Sequence, residues 1–324
     1  MAVPSNTFET FDSNSMKESF EDIIYNIAPT EVPFLSGIGK TSVSQTLHEW
    51  STDSLADAAS NAQKEGDDYA ALDRSATVKL SNRTVISAKA ITVSGTVDAV
   101  DQAGKSGTEM AYQLSKAGRE LKRDMEHMLV GLNTAVANGS SGTARNTASL
   151  SSWYGGNIPG TSTAAANFSG NSNSANPNGA GGTAFAGGTN RTFTEALLKA
   201  GVLKAYTLGG NPEAVLLSPS HKQIASSFGG VASKYQPASE MTTTGAVDLY
   251  ISDFGTLSFV PDRYQNANRV DILQMDTFSL GQLRPFATKD LASAGDNEKK
   301  LLTTEWCLIA NSPNANYGIF NLTA

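Results

Sequence analysis

The most regular hydrophobic pattern in the chain lies between residues 105 and 137. Its apolar side chains are spaced 4, 3, 4, 4, 3 and 4 residues apart, which is one stripe of an amphipathic helix. The stripe consists of Met110, Leu114, Ala117, Leu121, Met125, Met128 and Leu132. On the other face Lys122 and Glu126 are opposite charges at i, i+4, and Asn138–Gly139 is the expected stop. We predict one helix of about 45–50 Å, long for a domain of this size.

The first 46 residues have short apolar clusters and little with which to build a core. Phe8 and Phe11 lie among polar residues, and prolines follow at positions 29 and 33. Because a residue before proline disfavours the helical region, we expect residues 28–35 to be extended. Such a segment frays in a monomer unless it binds something. We therefore predict that residues 1–46 form an arm, and that a chain without them folds but assembles poorly.

Residues 47–96 predict a long two-stranded β-ribbon that begins near Trp50. The return strand over 76–94 alternates apolar and polar positions, with Ile86, Ala88 and Ala90 on the apolar face. Since a two-stranded ribbon is marginal alone in water, we expect this one to lie on a neighbouring chain. The charged residues at the tip include Lys64, Glu65, Asp67 and Asp68. They are either solvated, or the acidic ones pair with basic residues of that neighbour.

Residues 139–192 form a segment of low complexity. Its first 52 residues hold 11 of the 29 glycines, and Arg145 is their only charged residue. Two interpretations remain open. The segment is a flexible linker, or it is an ordered surface loop held by its aromatic side chains. In either case it need not help to build the core. The aromatic residues are Trp153, Tyr154, Phe168 and Phe185.

The rest of the chain predicts two further helices followed by β structure. One helix spans 193–208, and the other begins at Ser218–Pro219, with serine as the N-cap and proline at the first helical position. A short buried strand, 214–217, lies between them. The later strands are predicted at 247–251, 256–260, 270–275, 279–284, 301–310 and 317–322. The predicted fold class is therefore α+β.

Composition narrows the class of protein. The 324 residues are 17% charged with a net charge of −7, which argues against a dedicated nucleic-acid-binding protein because such proteins carry a basic stripe. One cysteine, Cys307, permits no disulfide within the chain and lies in an apolar run, so a buried thiol is expected. We see no signal peptide and no apolar stretch long enough to span a membrane, and we expect no membrane partner.

A search for catalytic or ligand-binding motifs finds none that is complete. Gly39–Lys40–Thr41 resembles the end of a phosphate-binding loop, but Phe34 occupies the position of its first glycine. The three histidines form no zinc pattern, and Ser218 with His221 is better explained as a helix cap. We therefore predict a protein that is not an enzyme, with no cofactor and no metal.

The order of these parts resembles the major capsid proteins of tailed bacteriophages, which share the Hong Kong ninety-seven fold. Within that fold the sequence is similar to the SU-ten-like major capsid proteins over almost the whole chain. The segment 139–190 is longer than the basic fold requires. The matching segments are 28–36 (APTEVPFLS), 48–55 (HEWSTDSL), 93–100 (VSGTVDAV), 111–114 (AYQL), 120–126 (ELKRDME), 260–263 (VPDR) and 281–286 (GQLRPF).

This resemblance implies a division of the chain into named parts. They are an N-arm (1–46), an E-loop ribbon (47–96), a spine helix of the peripheral (P) domain (97–138), the insertion (139–192), a P-domain helix (193–211), an axial (A) domain (212–275) and a P-domain β return (276–324). The expected inter-subunit contacts are Phe8, Phe11, Phe34, Trp50, Lys64, Glu65, Asp67 and Asp68.

The resemblance also implies a function in assembly. The chain is expected to form pentamers and hexamers of an icosahedral shell around double-stranded DNA, which meets the inner face without sequence specificity. Scaffold, portal and decoration proteins are further expected partners. The protein would be made in the host bacterial cytoplasm and end in the virion. The alternative is a tail-associated or surface adhesin, which repeats or a β-solenoid pattern would support.

Overall fold

The structure, a computed structural model, describes residues 31–53, 55–56, 58–66, 76–100, 107–154, 180–182, 190–228 and 249–323. Its helices are α1 (Pro33–Gly37), α2 (Gly95–Ala99), α3 (Glu109–Glu126), α4 (Glu195–Thr207) and α5 (Pro219–Ser226). Its strands are β1 (Gly39–Ser42), β2 (Leu47–Thr52), β3 (Val78–Arg83), β4 (Val85–Ser94), β5 (Ala214–Leu217), β6 (Leu249–Ser252), β7 (Gly255–Pro261), β8 (Val270–Leu273), β9 (Phe278–Leu291), β10 (Asn297–Ala310) and β11 (Tyr317–Ile319).

Helix α3 confirms the predicted stripe, but it ends earlier than predicted. Thr108 caps its start, and after Glu126 the chain makes one π-helical turn to Gly131 before it leaves the helix at Leu132. The helical part is therefore about 35 Å long. Its final carbonyl groups accept hydrogen bonds from Arg269 (to Val130) and Asn266 (to Gly131). These caps come from residues that are distant in the sequence. The prediction that the helix ends at Asn138–Gly139, which rested on local residues alone, is therefore wrong.

Two long strands organise the sheet on which α3 packs. Its order is β1-β9-β10-β4, with β1 parallel to β9 and the other pairs antiparallel. On the α3 side, Ala117 and Leu121 pack against Leu302 and Ile91. The distal half of this sheet is the part of β4, β9 and β10 beyond Glu305, which consists of residues 86–94, 285–291 and 297–304. The side of this half that is turned away from α3 has no described element packed against it, and we call it the outer sheet face.

The predicted ribbon is confirmed only at its base, where β2 pairs with β3 from Leu47 opposite Arg83 to Thr52 opposite Val78. The return is two strands, because the chain breaks at Thr84 and β4 joins the four-stranded sheet instead. The predicted apolar face of β4 was also wrong. Val85, Ser87 and Val93 are turned inward, while Ile86, Ala88 and Ala90 are exposed.

Residues 31–46 are part of the subunit's own core, which corrects the predicted arm of residues 1–46. Pro33 opens α1, so the expected extended segment is wrong from residue 33 onward, although Val32 before it is not helical. Phe34, Ile38 and Val43 are buried, and β1 adds an edge to the sheet. A deletion of residues 1–46 would remove this packing, so the structure predicts that such a chain loses stability as well as assembly.

The segment after residue 139 also contributes to the core, contrary to prediction. Leu150, Trp153 and Tyr154 are fully buried in the same cluster as Phe34 and Phe278. Of the two open interpretations, an ordered loop held by aromatic residues describes residues 139–154. Phe168 and Phe185 lie outside the described residues.

A second sheet has the order β11-β8-β5-β7-β6, and α4 and α5 pack on one face of it. Thr194 and Ser218 cap these helices, and both helices confirm the sequence prediction. Helix α4 packs on β11 and β8, and β11 pairs with β8. The predicted A domain (212–275) therefore shares one sheet and its helix layer with residues that were assigned to the P domain.

Candidate inter-subunit surfaces

Phe34 was expected to contact a neighbouring subunit, and the structure corrects this. Its side chain is fully buried, and its ring meets Phe278 edge-on at 5.8 Å between centroids. The backbone N–H groups of Phe34 and Leu35 donate to the two carboxyl oxygens of Glu126, at 2.7 and 2.8 Å. The first turn of α1 is thus capped by a side chain of α3, and Phe34 has no surface left for a partner.

Trp50 lies at the base of the ribbon and is half-buried. Its indole N–H donates to the carbonyl of Ala310 at 2.9 Å, and its ring lies against His48 and Trp153 at 5.7 and 5.4 Å. These contacts attach the ribbon to its own subunit. Since part of the ring remains accessible, contact with a neighbour stays a prediction.

The described residues between 53 and 66 are all exposed, and we call residues 53–77 the excursion. Lys64 and Glu65 are exposed, and Leu55 has 97% of its surface accessible. Phe8, Phe11, Asp67 and Asp68 lie outside the described residues. A leucine so exposed indicates that this part of the excursion finds no apolar support in the described part of its own chain.

The outer sheet face is the second exposed surface. An apolar row runs along β4 and β10 through Ile86, Ala88, Ala90 and Leu301. Lys289 and Lys299 lie on the same face, because they occupy matching positions on the neighbouring strands. The face therefore combines apolar surface with positive charge.

At its proximal end this face carries Glu305, a carboxylate that is 5% exposed. Burial alone would raise its pKa, but hydrogen bonds from Thr84 and Arg284, with the charges of Arg284 and Arg145, lower the pKa below its ordinary value. The distances are 2.8 Å to Thr84, 2.7 Å to Arg145 and 2.8 Å to Arg284. The carboxylate is thus ionised, and it joins β10 to the break between β3 and β4, to β9 and to the loop after residue 139.

A second carboxyl group, that of Glu126, is also buried, and no local pattern in the sequence predicts its burial. Burial, followed by the nearby charge of Asp262, raises the pKa of Glu126 to about 8. Asp262 is also buried, and burial raises its pKa. Two buried carboxyl groups this close disfavour the ionisation of both, so the neutral form of Glu126 is favoured up to about pH 8.

The groups with possible reactivity are shielded. His221 is buried, with Nδ1 at 2.8 Å from the Ser218 hydroxyl and Nε2 at 3.0 Å from the Thr323 carbonyl. Burial raises the pKa of the Cys307 thiol to about 12. Among the described residues no cluster of His, Cys, Asp or Glu suits a metal ion, and no helix is long and apolar enough to cross a bilayer. The exposed features, in contrast, are the excursion and the outer sheet face.

Solved structures with the same architecture are phage capsid and gene-transfer-agent shells. The cyanophage A-1(L) capsid subunit aligns with a TM-score of 0.65 and 13% identity over 98% of this chain and 99% of that one. A subunit of the native gene-transfer-agent (GTA) capsid aligns with a TM-score of 0.62 and 10% identity, over 97% and 98%. At these identities the likeness establishes the fold, which is the predicted Hong Kong ninety-seven fold.

Sequence comparison identifies the family within that fold. The family model for the SU10 major capsid protein matches residues 3–323, so the chain belongs to that family. The major capsid protein of Escherichia phage Phieco32 is 27% identical over 360 aligned residues, which cover 99% of this chain and 98% of that protein. The predicted family and the function of major capsid protein are confirmed. The family is a structural one and not an enzyme family.

Proposed function

We propose that this major capsid protein closes into pentamers and hexamers of an icosahedral shell around double-stranded DNA, and that the excursion of each subunit lies across the outer sheet face of the next. The observation that carries the proposal is the pairing of an unsupported excursion with an uncovered apolar face. Such a head-to-tail contact joins two different surfaces, and it forms a closed ring when the rotation between subunits closes.

Charge supports the same contact. The excursion has six carboxylates against two basic residues, Lys64 and Arg74, a net charge of −4. The outer sheet face presents Lys289 and Lys299 beside its apolar row. Complementary charge favours this pairing of surfaces over the contact of two like faces. A stable contact needs about 1,200–2,000 Å² of buried surface, and an extended excursion gathers such area with few residues.

The remaining partners follow from the shell. Packaged DNA would meet the inner face without sequence specificity, and the net charge of −7 argues against tight binding of its phosphates. Scaffold, portal and decoration proteins would bind the assembled lattice. The subunit would be made in the host bacterial cytoplasm and remain in the virion.

Electron microscopy and sedimentation of the expressed protein test this proposal. We expect closed particles, rings or tubes from the unaltered chain. Ile86→Glu places a charge in the apolar row and should leave folded subunits that do not grow. Leu203→Glu on α4 is the matched control, because Leu203 is 47% exposed and Ile86 is 52% exposed. Normal shells from Ile86→Glu would refute the contact, and an unaltered chain that stops at a trimer would refute closure into pentamers and hexamers.

A further inference from the structure

A groove of about 630 Å³ runs between α3 and the distal half of β9. Leu114, Gly118, Phe286 and Leu302 form its apolar floor, and Arg119 and Lys122 lie at its rim. Phe286 keeps 36% of its surface accessible there. The groove thus combines an apolar floor with two cationic side chains.

The two flanks of α3 differ in charge. On the flank toward β4, Glu120 and Asp124 both pair with Lys89, at 3.1 and 3.0 Å. On the groove side, no acidic residue in the described part of the chain forms an ion pair with Arg119 or Lys122. The expected pair of Lys122 with Glu126 is absent, because Glu126 is buried against α1. Among the residues that the structure describes, the two cations of the groove therefore have no acidic partner.

The start of the described chain lies on this same flank of α3. Residues 115, 119, 122 and 126 recur at spacings of 4, 3 and 4, so they share one side of the helix. Glu126 holds Phe34 there, one turn beyond Lys122. The chain that precedes Phe34 therefore comes from the side of α3 on which the groove lies.

The first 30 residues have the complementary chemistry. They contain five carboxylates against one lysine, together with Phe8, Phe11, Phe20 and Tyr25. We propose that residues 1–30 of the same chain dock in this groove, with aromatic side chains on the floor and carboxylates at Arg119 and Lys122. A polynucleotide would match the two cations but would leave the apolar floor without a partner.

Chymotrypsin digestion of the full-length unassembled subunit tests this docking, because cleavage after Phe8, Phe11 and Phe20 reports how often residues 1–30 are free. We expect the Arg119→Glu/Lys122→Glu variant to be cleaved at these sites about fivefold faster or more, which corresponds to the loss of roughly 1 kcal/mol of charge pairing. Lys116→Glu is the matched control, since Lys116 is exposed on the same helix but does not line the groove.

A second variant fills the groove without altering charge. A Cβ at Gly118 would meet only the Leu302 side chain, at 3.9 Å, so Gly118→Leu extends into the groove and also removes a glycine from the middle of a helix. We expect faster cleavage with an unchanged or higher melting temperature.

Equal cleavage rates in all variants would overturn the proposal. Protection that rises with protein concentration would overturn docking within the same chain, because it would show that a neighbour supplies the segment. Failure of shell assembly alone bears on the proposed function and leaves this result intact.

Discussion

Glu126 and Glu305 are both buried glutamates, but their surroundings have opposite effects. Two arginines and a threonine hold Glu305 ionised, whereas Glu126 faces another carboxyl group and keeps its proton. Both join elements that are far apart in the sequence. One subunit thus contains two kinds of buried carboxyl contact. The contact on the outer sheet face is charged, and the contact where α1 meets α3 is neutral and depends on a proton.

The largest effect is expected from removal of the charged link. Glu305→Leu leaves Arg145 partly buried without its partner, and we expect a loss of about 2–3 kcal/mol in the free energy of unfolding. This is less than for a fully buried pair, because Arg284 is 56% exposed and can be hydrated. Urea denaturation measures the change. Glu298→Leu on the same strand is the control, since its ion pair with Lys300 is exposed and should contribute less than about 1 kcal/mol.

A smaller effect is expected from Glu126→Gln. The amide can accept only one of the two N–H groups of α1 well, so at pH 6 we expect a loss of about 1–2 kcal/mol. At pH 9 the unaltered chain must hold two facing carboxylates and the variant does not. The stability difference should therefore shrink or reverse between pH 6 and pH 9. A constant difference would show that Glu126 is already ionised at pH 6.

The pH dependence of the unaltered subunit follows from the same comparison. The pKa of Glu126 is raised in the folded state, so its contribution is fully present below the unfolded value near 4.5 and is lost as the pH rises through about 8. The pKa of Glu305 is lowered, so its contribution is present above the unfolded value and is lost on acidification. Denaturation midpoints measured from pH 4 to pH 9 should fall on the alkaline side in the unaltered chain and remain flatter in Glu126→Gln.

The smallest effect at neutral pH is expected from Asp262→Asn. The amide keeps the acceptor that receives the N–H of Tyr264 and offers a donor to Glu126, so we expect a change of under about 1 kcal/mol at pH 6. The loss of the neighbouring negative charge should lower the pKa of Glu126. The fall in stability toward pH 9 should therefore be shallower. A steeper fall would contradict the conclusion that the charge of Asp262 raises the pKa of Glu126.

The parts that sequence predicted correctly depend on local signals. The stripe on α3 and the serine cap of α5 each follow from residues within a few positions of one another, and β2 pairs with the next strand along the chain, β3. The predicted family also rested on segments that keep their order along the chain. Short-range periodicity and capping chemistry were sufficient for these elements.

The errors came from contacts that span the chain. The alternation in β4 is equally clear for both of its faces, and the face that is buried is the one on which α3 packs, with Ile91 in its apolar contact and Lys89 paired to Glu120 and Asp124. The end of α3 depends on Arg269, and the burial of Glu126 depends on α1. Of the expected contact residues in the described part of the chain, only Phe34 is excluded, because it is fully buried. A phenylalanine next to Pro33 does not reveal from the sequence whether its partner is its own core.

The position of β1 has a consequence for the time at which a subunit becomes complete. Gly39 pairs with Ser279, about 240 residues later, and β11 closes the second sheet only at Tyr317–Ile319. At roughly 5–20 residues per second, a ribosome needs on the order of 12–50 seconds between the two partners of β1. During that interval neither sheet has all its strands, and the outer sheet face does not exist. A nascent chain therefore has no outer sheet face for other chains translated from the same messenger RNA to contact. Lattice growth is then confined to subunits that have left the ribosome.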